Sequence, residues 1–169
     1  MNLRRGLPLL AVLMLPACVG VPRLAAVAPS PHFVAETFFA GRTEGVGTLR
    51  IAFRKPVTVI VHGHGVVAPD GAIMLDQTVL EGSKPATTRQ WRIAAGPERY
   101  TGSLSDAAGP VTGTVTGNRL HLVFAMKGGL HADQQLDLAA DGASAHNIMV
   151  ITKLGMTVAS LDETIRRVP

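Results

Sequence analysis

Short runs of alternating apolar and polar residues, separated by turn signals at intervals of about 8–12 residues, fill the chain beyond Gly47. In the first run Leu49, Ile51 and Phe53 occupy alternate positions, which predicts that they share the core face of a strand. Further strands are predicted at Val57–Val67, Ile73–Leu80, Thr87–Ala94, Arg99–Leu104, Val111–Thr116, Leu120–Met126, Leu130–Leu138, Asn147–Thr152 and Met156–Ile165. This pattern predicts an all-β domain of about nine or ten strands with little helix.

The predicted strands are joined by short turns, such as Pro69-Asp70-Gly71, Gly117-Asn118 and Asp141-Gly142. Successive hairpins favour an antiparallel up-and-down meander, and closing such a sheet into a barrel removes its exposed edges. A barrel of about eight strands either fills its interior with side chains or holds one small ligand. The sequence leaves open which of these two interiors the chain has.

The N-terminus carries a targeting pattern that ends at the only cysteine, Cys18. Arg4 and Arg5 form a basic region, and Leu7–Leu15 forms an apolar region of the length found in signal peptides. The following residues, Leu15-Pro16-Ala17-Cys18, resemble the lipobox of bacterial lipoproteins, in which the cysteine is acylated and becomes the mature N-terminus. We therefore predict a lipoprotein signal peptide over residues 1–17 and lipidation of Cys18.

Two alternatives to lipidation stay open. An uncleaved transmembrane helix would use the uncharged run Gly6–Pro22, which is short against the roughly 20 residues that span a bilayer and is interrupted by Pro8 and Pro16. Ordinary cleavage would leave Cys18 as a free thiol, which is a liability in an oxidising compartment. Beyond Cys18, Pro22, Pro29 and Pro31 indicate a flexible tether over residues 18–31, followed by a folded domain over residues 32–169.

The charge of the mature chain excludes an electrostatic nucleic-acid surface. Loss of Arg4 and Arg5 reduces the 16 Lys and Arg to 14, against 12 Asp and Glu. No basic block remains apart from Arg166-Arg167, so we expect no nucleic-acid partner.

Aromatic and basic residues supply the candidate ligand-binding set. Phe38 and Phe39 belong to an aromatic segment that fits a short helix or turn closing an apolar cavity, and fits ordinary core packing equally well. Arg89 and Trp91 share one face by parity; facing inward they would bind an anionic group beside an apolar wall. Facing outward, Arg89 would stack on Trp91 or pair with Glu98 or Asp106. Tyr100 completes the set.

His62 and His64 are the candidates for metal binding, because alternate residues of a strand face the same side. Two nitrogens do not make a zinc site, which needs about four ligands, three of them from protein even in catalytic sites. Asp76, His121 and His131 would complete the set only if the fold brought them together. Solvent-facing histidines are the alternative, and the sequence predicts no cofactor.

Weak motifs in a fixed order resemble domain-of-unknown-function family 3833. These are Phe38-Phe39-x-Gly41, Gly45-x-Gly47, Asp70-Gly71, Arg89-x-Trp91-x-Ile93, Tyr100-x-Gly102, Asp106-x-x-Gly109-x-x-x-Gly113-x-x-x-Gly117-Asn118, Asn147 and Lys153-x-Gly155. Members resemble bacterial lipoproteins with a lipocalin-like, calycin-type barrel. The resemblance implies a fold and a location, and no reaction.

We therefore expect an envelope lipoprotein, held by its lipid in the outer membrane and facing the periplasm, whose barrel binds an apolar or amphipathic small molecule or a lipid. The first alternative is a structural or envelope-assembly lipoprotein that acts through a protein partner. The second is an enzyme of unknown reaction.

Overall fold

Ten antiparallel strands close into a barrel in the computed structural model, which describes residues 19–96 and 99–169. Each strand pairs with the next in the chain, and the first also pairs with the last. The elements are α1 (Ala35–Phe38), β1 (Gly41–Ile51), β2 (Val57–Val67), β3 (Ile73–Glu81), β4 (Thr87–Ala95), β5 (Tyr100–Leu104), β6 (Ala107–Thr116), β7 (Arg119–Met126), β8 (Leu130–Leu138), β9 (Ser144–Lys153) and β10 (Met156–Val168). In the described part of the chain, no helix combines the length and the apolar character that crossing a bilayer requires.

The all-β barrel with a short N-terminal helix confirms the fold predicted from the alternating runs. One prediction within it is wrong: Phe53 does not share the core face with Leu49 and Ile51. Strand β1 ends at Ile51, and Phe53 lies in the following turn with 90% of its surface exposed. The alternation rule does not apply to Phe53, because successive side chains point to opposite faces only while the backbone is extended.

The two ends of the barrel are built differently. At the plugged end, α1 and the preceding residues enter the barrel, and the rings of Phe33, Phe38 and Phe39 pack on one another with centroids 5.0–6.4 Å apart. All three rings are buried. At the other end, called here the hairpin end, short turns join β1 to β2, β3 to β4, β5 to β6, β7 to β8 and β9 to β10.

Glycines on the inner faces of β1 and β2 make room for groups that approach the barrel wall. A Cβ atom on Gly65 would lie 2.0 Å from the carbonyl oxygen of Phe39, so the plug packs directly on the β2 backbone. A Cβ atom on Gly45 would lie 2.0 Å from Oε1 of Glu163, and one on Gly47 would lie 2.8 Å from the Glu163 Cβ atom. The motif Gly45-x-Gly47 therefore accommodates an interior carboxylate.

Two apolar clusters fill the rest of the interior. The larger contains the aromatic plug, Trp91 and residues of most strands. The smaller consists of Val59, Val61 and Leu161, with Leu49 and Val79 packed against it. Met149, which is half-buried, packs against both clusters.

Residues 19–31 have no helix or strand, but they contact the outer wall of the barrel. The Ser160 hydroxyl on β10 donates to the Gly20 carbonyl over 2.9 Å. Arg119 donates to the Ala25 carbonyl over 2.8 Å, and the Ala28 amide donates to the Asn118 side chain over 2.8 Å. This segment therefore crosses from β10 to the plugged end.

Gly65→Ala should destabilise the barrel, because its added Cβ atom meets a backbone carbonyl that cannot move without displacing the plug. We expect a loss of about 1–3 kcal/mol in the free energy of unfolding, measured by urea denaturation. Gly109→Ala is the matched control, since no atom lies within 4 Å of its added Cβ. Equal stabilities of the two variants would contradict this account of the plug.

Candidate ligand site inside the barrel

Five polar side chains converge within the barrel between apolar residues. Each of them points into the barrel, as do the residues two positions away along its strand. They are Gln77 on β3, Arg89 on β4, Gln134 on β8, Asn147 on β9 and Glu163 on β10. All five line one cavity. Its remaining lining is apolar: Phe39, Leu75, Trp91, Ile93, Leu122, Leu136 and Ile165. We call these five residues the interior polar cluster.

Gln77 connects Arg89 to Trp91. Its Oε1 atom accepts from the Arg89 Nε atom over 2.7 Å and from the Trp91 indole nitrogen over 2.9 Å. The Arg89 guanidinium carbon also lies 5.9 Å from the centre of the Trp91 ring. Arg89 and Trp91 thus face inward and also stack on each other. The sequence presented the inward position and the stacking as alternatives, and the structure shows both.

Across the cavity, three side chains form a hydrogen-bonded row. The Gln134 amide donates to Asn147 Oδ1 over 3.0 Å, and the Asn147 amide donates to Glu163 Oε2 over 2.7 Å. Gln134 Oε1 and Glu163 Oε1 are buried and have no hydrogen-bond partner. The row therefore presents two free acceptors in the interior.

Burial shifts the pKa of both charged members in the direction of the neutral form. It raises the pKa of Glu163, and the Asn147 hydrogen bond and the Arg89 charge only partly oppose this. It lowers the pKa of Arg89, against the charges of Glu163 and Asp106. An arginine stays protonated nonetheless. Arg89 as a whole is half-buried, because β5 begins to pair with β4 only at Trp91, while its side chain lines the cavity and bonds to Gln77.

The cavity that these residues line has a volume of about 30 Å³. This is room for about one or two water molecules or one polar group of a ligand. The interior of this structure is therefore almost filled.

The candidate residues from the sequence divide between the cavity and the plug. Phe39, Arg89 and Trp91 line the cavity, whereas Phe38 packs within the aromatic plug. Tyr100 holds α1 in place: its hydroxyl donates to Glu36 over 3.0 Å and accepts from the Ala35 amide over 3.4 Å. Burial raises the pKa of Tyr100.

His62 and His64 point outward and line an open groove of about 670 Å³ on the outer wall. His62 faces Glu44, with Nδ1 and Oε2 3.7 Å apart, and His64 lies opposite Asp76 in the strand register. His121 lines a different groove. No three His, Cys, Asp or Glu side chains come close enough to hold a metal ion in the described ranges.

Sequence reasoning did not identify Gln77, Gln134, Asn147 or Glu163 as site residues. A signal was present, since Leu161-x-Glu163-x-Ile165 and Ala132-x-Gln134-x-Leu136 place a polar residue on an otherwise apolar face. Such a residue is normally hydrogen-bonded when buried, so its place in the pattern indicates an interior polar network.

The chain matches the family model described as protein of unknown function (DUF3833) over residues 12–167. Two solved structures share its fold. One is an S-type phycobiliprotein lyase from Guillardia theta, with TM-score 0.63, 9% identity, and coverage of 79% of this chain and 90% of that one. The other is a Nostoc punctiforme protein of unknown function from the DUF3598 family, with TM-score 0.59 and 13% identity; 80% of this chain is covered, but it spans only 49% of that protein. No curated protein gives a significant sequence match.

Glu163→Gln should change how stability depends on pH. The folded-state pKa of Glu163 is raised above its ordinary value of 4.5, so the folded state holds its proton to a higher pH than the unfolded state does. The free energy of unfolding of the wild type should therefore fall, relative to Glu163→Gln, as the pH rises from 4.5 through the raised pKa. Melting temperatures between pH 4 and 8 measure this, on a scale of roughly 1.4 kcal/mol per pKa unit.

The control is Glu81→Gln at the end of β3, whose carboxylate pairs at the surface with Lys84, a cation that keeps its charge across this pH range. A constant difference in stability between wild type and Glu163→Gln across this pH range would show that Glu163 has no raised pKa.

Proposed function

The chain belongs to the DUF3833 family of proteins of unknown function, and we propose that it is a lipid-anchored lipoprotein of the bacterial cell envelope whose barrel binds an amphipathic small molecule. The proposed location is the outer membrane, with the barrel in the periplasm. The lipobox-like residues Leu15-Pro16-Ala17-Cys18 support the anchoring. Cys18 itself lies outside the described residues.

The observation that carries the ligand proposal is the pair of free acceptors in the interior, Gln134 Oε1 and Glu163 Oε1. A buried polar atom without a partner costs about 1–3 kcal/mol. Hydrogen-bond donors on a ligand would satisfy these acceptors. The guanidinium of Arg89 lines the same cavity and supplies donors for an acceptor on that ligand.

The size of the cavity limits which part of a ligand it takes. About 30 Å³ holds a polar group and not an acyl chain. The apolar part would lie between the two core clusters, where Met149 is the residue that packs against both. Methionine adapts to such a change because its side chain is unbranched and flexible. Leu49 and Val79, which pack against the smaller cluster, are also only half-buried, so this part of the core is less tightly enclosed.

The fold is compatible with a role beyond scaffolding. A protein with this architecture is named as a phycobiliprotein lyase. At 9% identity the likeness concerns the fold, and the proposed site rests on the residues of this chain.

The nearly filled interior favours a second candidate, a structural or envelope-assembly lipoprotein that acts through a protein partner. In that case the interior polar cluster would hold one or two water molecules and contribute to the specificity of the fold. Ligand binding separates the two candidates.

Purified full-length protein should carry or take up an amphipathic ligand. We expect native mass spectrometry to show an adduct and a fluorescent monoacylglycerol, whose hydroxyl groups both donate and accept hydrogen bonds, to bind saturably. Arg89→Met should weaken monoacylglycerol binding at least tenfold, because it removes the interior hydrogen-bond donor that faces the ligand. Arg92→Met is the matched control, since Arg92 lies on the same strand and pairs with Asp70 at the surface.

Removing Arg89 alone leaves Glu163 without a counter-charge, which can destabilise the fold. The double variant Arg89→Met, Glu163→Gln avoids this and should also lose binding. No adduct and no titration with folded wild-type protein would favour the structural candidate.

Mass spectrometry of the N-terminal peptide checks the anchor. Protein from the bacterial envelope should begin at Cys18 and carry acyl chains, and the Cys18→Ser chain should carry none. A mature N-terminus elsewhere, or a free thiol at Cys18, would contradict lipidation.

A further inference from the structure

Large apolar side chains are exposed in one sector of the hairpin end. Phe53, in the turn between β1 and β2, is 90% exposed, and Leu154, in the turn between β9 and β10, is 87% exposed. Met156, at the start of β10, is 64% exposed. Since β1 pairs with β10 as far as Ile51 opposite Ala159, the two turns are neighbours. The three side chains therefore share one part of the rim.

Two of these residues also occupy a backbone conformation that bulky residues avoid. Phe53 has φ of 61° and Leu154 has φ of 50°, and they are the non-glycine residues with positive φ in the described part of the chain. Glycine or asparagine would fit these left-handed positions better. Neither backbone preference nor burial explains why Phe53 and Leu154 are apolar. This points to a function of the two side chains at the surface.

Cations surround the apolar residues. Arg54 and Lys55 follow Phe53, and Lys153 precedes Leu154. Lys127 lies in the turn between β7 and β8, beside β9 because Leu130 pairs with Lys153. All four basic residues are exposed. The turns 52–56, 127–129 and 154–155 contain no Asp or Glu, so this sector of the rim is positive.

We propose that this rim surface, formed by Phe53, Leu154, Met156 and the four cations, inserts into the interface of a bilayer that contains anionic lipids. Apolar side chains bury in the region between headgroups and acyl chains, and Lys and Arg are attracted by the negative surface. A purely apolar protein partner would leave the four cations without an opposite charge. Charge complementarity therefore favours a membrane.

The N-terminal segment is compatible with this orientation. Gly20 contacts Ser160, which lies four residues from Met156 along β10, a distance of about 13 Å. A lipid on Cys18 would then enter the same bilayer that the rim surface contacts. This step rests on the proposed function, whereas the rim surface itself does not.

Sedimentation with vesicles tests the rim surface without the lipid. The Cys18→Ser chain that begins at residue 18 lacks both the acylation site and the basic and apolar N-terminal regions, and it keeps all ten strands. It should bind phosphatidylglycerol vesicles and bind phosphatidylcholine vesicles at least tenfold more weakly. High salt should weaken the binding, because it screens the cations. Adding Phe53→Asn and Leu154→Asn should reduce binding at least tenfold, and should leave the melting temperature equal or higher because asparagine tolerates positive φ.

Two further variants complete the design. Lys127→Gln with Lys153→Gln should reduce binding to phosphatidylglycerol specifically. Val66→Thr, an exposed apolar position on β2 at the plugged end, should leave binding unchanged. Equal binding to both lipids, no binding, or unchanged binding of the asparagine variant would overturn the inference. An unacylated Cys18 in cells would contradict the anchor alone and leave the vesicle results standing.

Discussion

The pairing of β1 with β10 is the constraint on which the rest of the structure depends. It runs from Arg42 opposite Val168 to Ile51 opposite Ala159 and turns an open meander into a closed barrel. Closure gives every strand two neighbours and removes exposed edges. It also sets the carboxylate of Glu163 against the glycine-lined wall of β1 and brings the turn of Phe53 beside the turn of Leu154. The interior polar cluster and the rim surface both depend on this one strand pairing.

Keeping Arg89 and Glu163 inside the barrel is unfavourable by itself. Each ion loses hydration on burial, and a well-packed apolar pair of similar volume is often equally or more stable. The hydrogen bonds of Gln77 and Asn147 offset part of this cost but leave acceptors on Gln134 and Glu163 unpaired. A core that served only to stabilise the barrel would not need this arrangement. The interior polar cluster is therefore better explained by specificity for the fold or for a guest than by stability.

Alternation in the sequence predicted the strands and the shared face of Arg89 and Trp91, because side-chain direction follows directly from an extended backbone. It failed at Phe53, where the strand had already ended and parity no longer applied. It also could not predict that Gln77 joins Arg89 to Trp91, or that Glu163 lies over Gly45, since these contacts depend on the pairing of strands distant in sequence. The cavity volume could not be predicted for the same reason. It is the small space that the packed side chains leave between them.

The asymmetry of the two ends connects the interior polar cluster to the rim surface. The plugged end is sealed by Phe33, Phe38 and Phe39, and Tyr100 holds α1 against it. The smaller core cluster and the half-buried Met149 lie away from this plug, and the exposed apolar tips lie at the hairpin end. If the rim surface contacts a bilayer, the less tightly enclosed side of the core faces the lipid. An amphipathic molecule would then pass between membrane and barrel without exposing its apolar part to water, which is the main cost of its transfer. Anchoring and binding would in that case be two parts of one mechanism.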